Sequence, residues 1–214
     1  MKSIVTSFFV LLANLSVYAQ HDTLVNERQE FKKIETEIAW INPIGELIDY
    51  YNPTPAFGIW VRNIWSSNSV LNYGFQVSFP KNHRFEFVQD NYTSSTKSFA
   101  GNLGLKLDKV IIGKLEDKHF LTWSTHLGYG FYFYDDVKLR EEYNNWSKKK
   151  KEEDTKPIFI RPFSTIHLGQ SIKYNFQNMG VFVQYSFTPY YLFNNVIDKR
   201  FGSQSISLGI SYKQ

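Results

Sequence analysis

Apolar and small polar residues alternate along most of this chain, and the alternation is clearest at its C-terminal end. Residues 203–212 read SQSISLGISY. Successive side chains of a β-strand point to opposite faces, so one face here carries Ile, Leu and Tyr while the other carries mainly Ser and Gly. The water-facing side of a soluble antiparallel sheet usually carries larger polar residues. Two faces this different suit an apolar environment on one side and a narrow polar one on the other.

The same period of two predicts eight strands. Two weaker segments come first, at residues 34–42 and 54–65. The third covers residues 71–79 and keeps its alternation past Phe85 and Phe87 to about Asp90. The other five lie at residues 99–108, 121–133, 158–174, 181–188 and 203–212. The chain is therefore predicted to be all-β.

The connections between these strands alternate in length. Four are long, at residues 43–53, 90–96, 135–157 and 189–200, and they alternate with shorter ones at 66–68, 110–118 and 175–178. An even number of strands with short turns at one rim and long loops at the other is the layout of a transmembrane barrel. We therefore predict an eight-stranded antiparallel transmembrane β-barrel with up-and-down meander topology over residues 33–214. Its apolar face meets lipid, and its polar face lines the interior.

The N-terminus has the pattern of an export signal. Lys2 is the basic residue, residues 4–17 form an apolar core, and Val17-Tyr18-Ala19 resembles a small-residue cleavage site. We predict a cleaved signal peptide over residues 1–19 and a periplasmic segment over residues 20–32. The alternative is an uncleaved anchor, but the apolar core falls short of the ~20 residues that a spanning helix needs. Any membrane insertion of the mature chain therefore has to use strands.

Composition narrows the chemistry further. The 214 residues suffice for one barrel domain, and the absence of cysteine removes disulfides, thiolate metal sites and cysteine nucleophiles. The formal charge of +4 is mild, and the basic cluster at residues 148–151 is followed at once by acidic residues. We therefore expect no nucleic-acid partner. Aromatic residues make up 18% of the chain, which is enough to line an extended surface.

With these strands, faces and rims, the chain resembles the small outer-membrane β-barrels of the OmpA/OmpX type, within the broad porin-like group. The resemblance covers roughly residues 33–212 and rests on the pattern rather than on a diagnostic motif. It implies an outer-membrane location, contact with outer-membrane lipid and insertion by the outer-membrane assembly machinery. Such barrels often end on an aromatic residue, whereas here Tyr212 is followed by Lys213 and Gln214.

Charged residues of both signs fall on the predicted interior face. We expect them to pair across a narrow barrel and to act mainly as structural filler, because buried charges need partners. Glu35, Glu37 and Asp108 are the predicted partners of the two arginines. The predicted interior network consists of Glu35, Glu37, Arg62, Lys106, Asp108, Arg161 and Lys173.

Candidate catalytic residues on the same face do not form a known site. Lipid A deacylase barrels carry a His-x-Ser pair facing lipid, whereas Ser124 and His126 stand in the opposite order and point inward. His167 also falls on the interior face, so we interpret both histidines as packing or hydrogen-bonding groups. The remaining histidines form no metal-ligand pattern. We expect no enzyme activity, no metal and no cofactor.

The third to sixth strands are longer than the ~9–11 residues that cross a bilayer. We therefore expect them to rise above the membrane as a twisted sheet, with residues 135–157 as a mobile, charged tip. Exposed strand edges and aromatic side chains there could bind a partner. The predicted extracellular interaction residues are Arg84, Phe85, Phe87, Tyr143 and Trp146.

Three functional classes remain open at this point. The favoured one is a structural, adhesive or envelope- and secretion-assembly barrel that acts through its extracellular loops, possesses no wide pore and binds an extracellular or envelope protein. The second is a lipid A-modifying enzyme, an acyl hydrolase or acyltransferase of the outer membrane. The third is a soluble lipocalin-like carrier, whose apolar face would turn inward around a ligand.

Overall fold

The structure is a computed structural model and describes residues 33–50, 52–87, 92–153, 157–193 and 202–214. The predicted signal peptide (1–19) and periplasmic segment (20–32) lie outside the described residues. Two 3₁₀ helices, Gly45–Asp49 and Tyr190–Phe193, and two α-helices, α1 (Val137–Asn144) and α2 (Lys148–Glu153), lie in the connections. The described strands are β1 (Ile34–Ile44), β2 (Thr54–Ser66), β3 (Ser69–Ser78), β4 (Lys81–Phe87), β5 (Tyr92–Ile112), β6 (His119–Asp135), β7 (Ile160–Phe176), β8 (Met179–Phe187) and β9 (Gln204–Lys213).

Eight of these strands close into a barrel. Neighbours in the order β1, β2, β3, β5, β6, β7, β8, β9 pair antiparallel, and β9 returns to pair with β1. In the described residues, β4 has the upper part of β5 as its one partner and stands outside the ring. The predicted eight-stranded up-and-down meander is confirmed.

The register of the strands gives the stagger of the barrel. A row of paired residues that starts at Thr36 passes through β2, β3, β5 and β6 and reaches β7 at Ile166. In the other direction the row passes through β9 and β8 and reaches β7 at Phe176, ten residues away from Ile166. Such a stagger tilts the strands by roughly 35–45° to the axis, and eight strands leave an interior that side chains fill.

The polarity of the two faces follows the alternation in the sequence. The outward side chains of Ile38, Leu127 and Leu208 are each more than half exposed, whereas the inward Glu35 and Lys106 are almost fully buried. A soluble carrier has the reverse arrangement, with an apolar interior around its ligand. The lipocalin-like alternative is therefore wrong.

Two details of the third strand and its loop differ from the sequence-based expectation. The predicted single strand through Phe87 is interrupted at Phe79 and Pro80, and β4 begins at Lys81. Proline has no N–H to donate to a ladder, which explains the break. The predicted loop at residues 90–96 is also wrong over most of its length, because β5 begins at Tyr92.

The two rims differ as the connection lengths predicted. Both described ends of the chain lie at the rim with the short turns, where Gln214 N–H donates to the Ile34 carbonyl. The other rim carries the 3₁₀ helices, α1 and α2. The segment predicted to be a mobile tip thus contains two short helices, and α1 begins where the Asp136 carboxylate accepts from the Leu139 N–H.

One wall of the barrel is much taller than the other. β5, β6 and β7 have 21, 17 and 17 residues, whereas β8 and β9 have 9 and 10. A strand needs only ~9–11 residues to cross the hydrocarbon. The upper parts of β5, β6 and β7, together with β4, therefore form a raised wall beyond the membrane, as the sequence predicted. No helix in the described part of the chain is long and apolar enough to span a bilayer.

Candidate functional site

The end of the interior nearest the short turns is filled by charged side chains from four strands. We call this set the charge cluster: Glu35 and Glu37 of β1, Arg62 of β2, Lys106 and Asp108 of β5, and Lys173 of β7. All six are nearly inaccessible to solvent. With three acids and three bases, the cluster is formally neutral, which suits burial in a membrane-spanning ring.

Short contacts link the members of the charge cluster. Lys106 Nζ lies 2.5 Å from Glu37 Oε1, and Lys173 Nζ lies 2.5 Å from Glu35 Oε1. Lys173 Nζ also approaches Asp108 Oδ2 at 3.4 Å, and Arg62 Nε lies 3.3 Å from Glu35 Oε2. Each acid therefore has at least one base beside it. The structure brings together six of the seven residues of the predicted interior network.

Arg161 is the residue of that network which lies elsewhere. Arg161 is the second residue of β7 and lies at the long-loop rim, where its side chain is 31% exposed. Its Nη2 atom lies 3.9 Å from Asp136 Oδ2. Parity gave its face correctly but not its height along the barrel axis. Its predicted pairing with Glu35, Glu37 or Asp108 is wrong.

Two residues that sequence reasoning left out complete the lower interior. Trp60 Nε1 donates to Glu37 Oε2 at 2.6 Å, and Lys106 Nζ stands 4.8 Å from the centre of the Trp60 ring. Lys213 is buried, donates to Asn175 Oδ1 at 2.5 Å and lies 4.7 Å from the Phe120 ring centre. Both residues have inward parity in their strands, which is the signal that identifies them. The lysine that follows Tyr212 is thus an interior residue.

A small cavity of 60 Å³, lined by both apolar and polar residues, lies above the charge cluster. Its wall includes Gln76, Asn102, His167, Ser186 and Ser207. A water molecule needs only about 10–15 Å³ of such space and two or more polar partners, so the cavity can hold several waters.

Both interior histidines have hydroxyl neighbours. His167 Nδ1 lies 3.0 Å from Thr188 Oγ1, and His126 Nε2 lies 3.2 Å from Ser171 Oγ. His126 also meets Trp60 edge to face, with ring centres 6.0 Å apart. The serine that contacts His126 is therefore Ser171 of β7 and not Ser124. Within the described residues, no group of three or more His, Asp or Glu side chains is placed to hold a metal ion.

Aromatic side chains close the interior at the long-loop rim. Tyr132 packs at a tilt against Tyr190, with ring centres 5.3 Å apart, and against Phe163, at 6.3 Å. Tyr190 comes from one 3₁₀ helix, and Leu47 of the other packs in the same cluster. Gly202, with φ +79°, lies so close to the Leu47 backbone that a side chain at this position would clash. Residues of two loops thus pack against each other at this mouth of the barrel.

The predicted extracellular residues lie on the raised wall and at its tip. Tyr143 packs against Trp146 and Phe159, with ring centres 5.2 and 5.5 Å apart. Lys150 Nζ stands 4.3 Å from the Trp146 ring centre, and Lys151 Nζ stands 5.3 Å from that of Tyr143. Arg84, Phe85 and Phe87 are on β4, but their side chains lie outside the description. The tip is therefore a packed aromatic group with lysines over its rings.

One polar group interrupts the lipid-facing surface. Gln170 Oε1 accepts from Trp123 Nε1 at 2.6 Å and from Thr125 Oγ1 at 3.1 Å, and all three side chains are exposed on the outside of β6 and β7. Hydrogen bonding within the group satisfies polar atoms that face hydrocarbon. Sequence reasoning did not single out Thr125 and Gln170, because each is one polar residue on an otherwise apolar outward face.

A closed ring of eight strands, an apolar outer surface and a filled, charged interior define a small transmembrane β-barrel of the outer-membrane type. No protein-family model matches the chain, and no curated protein matches it. Among solved structures, the chain is similar to the N-terminal β-barrel domain of Pseudomonas aeruginosa OprF, with 13% identity over 87% of this chain and 100% of that chain and a TM-score of 0.41.

The chain is also similar to the Yersinia pestis outer-membrane protein Ail. Its structure in a phospholipid bilayer nanodisc has 12% identity over 86% of this chain and 99% of that chain, with a TM-score of 0.41. The crystal structure of Ail, the attachment invasion locus protein, has 12% identity over 86% of this chain and 100% of that chain, with a TM-score of 0.37. Similarities of this size carry no information about ligands or partners.

Proposed function

We propose that this protein is an integral outer-membrane barrel that acts through its cell-surface side, in structural, adhesive or envelope- and secretion-assembly contacts, and that it is not a wide pore. Export by the signal peptide over residues 1–19 and insertion by the outer-membrane assembly machinery belong to this proposal. The observation that carries it is the filling of the interior. The charge cluster occupies one end and the Tyr132–Tyr190 group the other, so the surfaces open to partners lie outside.

The raised wall is the surface best suited to contacts with another protein. In the described residues, β7 pairs with β8 only from Leu168 onward, so residues 160–167 have a strand neighbour on the β6 side alone. β4 likewise has β5 as its one described strand neighbour. A strand edge without a neighbouring strand is where strand addition can occur, and on β7 the residues after β8 already contact this edge through Thr165 and His167. These two edges flank the tip that carries Tyr143 and Trp146.

The lipid A-modifying enzyme is the weaker alternative. Acyl transfer needs a nucleophile and a base that reach the lipid. The His126–Ser171 pair lies inside the barrel, between the charge cluster and the aromatic cover, and both residues are buried. The favoured role is therefore to bind an extracellular or envelope protein at the raised wall.

Deleting residues 143–154 tests the proposal. The control is Trp65→Ala, which removes an exposed aromatic residue at the end of β2 on the opposite rim. We expect both variants to keep the gel shift between unheated and heated samples that marks a folded barrel, and only the deletion to lose contacts at the cell surface.

These contacts can be read by a photo-crosslinking amino acid placed at Tyr143 or, as the control position, at Lys114 in the turn between β5 and β6, in intact cells. A discrete product from position 143 that is absent at position 114 is the expected result. No product from either position, or unchanged surface contacts in the folded deletion variant, contradicts the proposal. Loss of lipid A modification in that variant would favour the enzyme instead.

A further inference from the structure

An apolar groove of 370 Å³ lies on the outside of the raised wall. Outward aromatic rings of β5 and β6 form most of its lining, and residues 162–164 of β7 form the rest. The lining residues are Phe99, Tyr129, Phe131, Phe133, Pro162 and Ser164, together with Phe163. No charged side chain contributes to it.

The groove exists because large and small residues meet on neighbouring strands. Phe131 pairs with Ser164 and Phe133 pairs with Pro162, so two bulky rings face two short side chains across the ladder. Phe99 packs against Phe131 and Phe133 with ring centres 5.7 and 6.0 Å apart, which fixes one side of the groove.

The groove lies higher than the apolar surface of the opposite wall. Gln204, the exposed first residue of β9, shares a row of paired residues with Phe187, Leu168 and Leu127. Phe133 lies six residues farther along β6 than Leu127. Because the strands are tilted, Leu127 stands lower than Gln204 along the barrel axis, by about four residues of strand length. The six residues from Leu127 to Phe133 exceed that difference. Phe133 therefore stands above Gln204, although Phe133 is apolar and Gln204 is polar.

Exposed apolar side chains extend beyond the groove toward the top of the raised wall. Ile158 and Ile160 are 74% and 53% exposed, next to the groove at the start of β7. A continuous apolar patch on a protein surface marks a binding site, because its contact with water is unfavourable. Something apolar therefore covers this part of the raised wall.

We propose that the groove binds an acyl chain of an outer-leaflet membrane lipid. The groove is continuous with the lipid-facing belt, since Tyr129 lines it and Leu127, the next outward residue of β6, faces the hydrocarbon. A chain that is already in contact with the belt reaches the groove without leaving an apolar surface. The uncharged lining fits an acyl chain and offers nothing to a headgroup. The raised wall thus draws lipid up one side of the barrel.

This inference shares with the proposed function the insertion of the barrel in the outer membrane, and it does not depend on the interaction role. The acyl chain is detected on the outer face of β5–β7, whereas the interaction role is detected at residues 143–154, so either can fail alone.

Single cysteine variants test the groove, because the chain has no cysteine of its own. Phe133→Cys, Leu127→Cys and Gln204→Cys are labelled with a bimane fluorophore and inserted into phosphatidylcholine vesicles that contain nitroxide-labelled acyl chains. We expect lipid quenching at Phe133 to equal that at Leu127 and to exceed that at Gln204 several-fold. Aqueous iodide should quench Gln204 most. Iodide quenching at Phe133 equal to that at Gln204, with little lipid quenching, overturns the proposal.

A variant that fills the groove distinguishes an acyl chain bound in the groove from general contact between the barrel and the bilayer. Ser164→Trp should reduce lipid quenching at Phe133 several-fold and leave Leu127 unchanged; unchanged quenching at Phe133 in a folded Ser164→Trp barrel overturns the proposal. If that variant does not fold, the wild-type chain decides the question in vesicles with a photoactivatable acyl chain. Labelling at residues 129–133 and 162–164 is the expected result, and crosslinks between two copies of the chain at this face, without lipid labelling, overturn it.

Discussion

Replacing Lys173 by Met tests whether the charge cluster stabilises the barrel. Lys173 Nζ lies 2.5 Å from Glu35 Oε1 and 3.4 Å from Asp108 Oδ2, and all three side chains are buried. Met keeps most of the apolar stem but removes the charge, so two buried carboxylates lose their shared cation. Removing one partner of a buried ion pair lowers the free energy of unfolding by about 3–5 kcal/mol. Because Lys106 and Arg62 remain close to Glu35, we expect the lower end, about 3 kcal/mol.

The assay is a urea titration of the folded barrel in detergent micelles, followed by tryptophan fluorescence and by the mobility of unheated samples on gels. Arg161→Ala is the matched control, since it also removes an inward-parity cation from β7 but at the partly exposed rim. The Arg161–Asp136 pair is long, at 3.9 Å, and its arginine is partly exposed although Asp136 is buried, so we expect its loss to cost about 1 kcal/mol, close to that of an exposed pair. The two variants on one strand should therefore differ by about 2 kcal/mol or more.

The double variant Lys173→Met/Glu35→Gln tests the reason for the loss. If the uncompensated carboxylate causes it, neutralising Glu35 in the Lys173→Met background should destabilise much less than in the wild-type chain, giving a coupling energy of about 1 kcal/mol or more. Equal losses from Lys173→Met and Arg161→Ala, or strictly additive losses in the double variant, would refute the reasoning.

Three further predictions concern the outer surface and the cover of the interior. Leu127→Arg should lower the free energy of unfolding by about 2–4 kcal/mol in the same titration, because the residue faces hydrocarbon, and a neutral effect would contradict a lipid-facing Leu127. Gln170→Leu should destabilise by about 0.5–1.5 kcal/mol, since Trp123 and Thr125 lose their shared acceptor; a more stable variant would show that their hydrogen bonds contribute little. Tyr190→Ala should leave the barrel folded but make the β8–β9 connection sensitive to protease, because the ring anchors that loop against Tyr132. Unchanged protection would show that other contacts hold the loop.

Strand number, faces and rims were predictable because each depends on a local pattern. The period of two assigns every residue of a strand to one face, and one face must be apolar when the other side is lipid. Glu35, Glu37 and Lys173 could therefore be placed inside from sequence alone. The N-terminus of α1 also had a local signal, because Asp136 is a residue type that caps helices.

Which residues of different strands stand at the same height was not predictable from such patterns. It depends on the stagger of all eight strands, which no single strand contains. Within one strand the loops do give the height: Arg161 follows the long loop at 135–157 and Lys173 precedes the short turn at 175–178, so the expectation that both join one network overlooked their separation along β7. Lys213 shows the same limit, since its parity places it inside but does not tell that its partner there is Asn175 of β7.

The membrane itself restricts where this barrel can offer a strand edge. Within the hydrocarbon every backbone N–H and C=O must be paired, and the closed ring of eight strands meets that requirement. Above the hydrocarbon the requirement lapses, because water or a partner can satisfy the same groups. In the described residues, β7 pairs with β8 only from Leu168 onward and β4 has β5 as its one strand neighbour, and both edges lie on the raised wall. Among the described strands, the edges at which strand addition is compatible with this fold therefore lie on that wall, beside the aromatic tip and above the apolar groove.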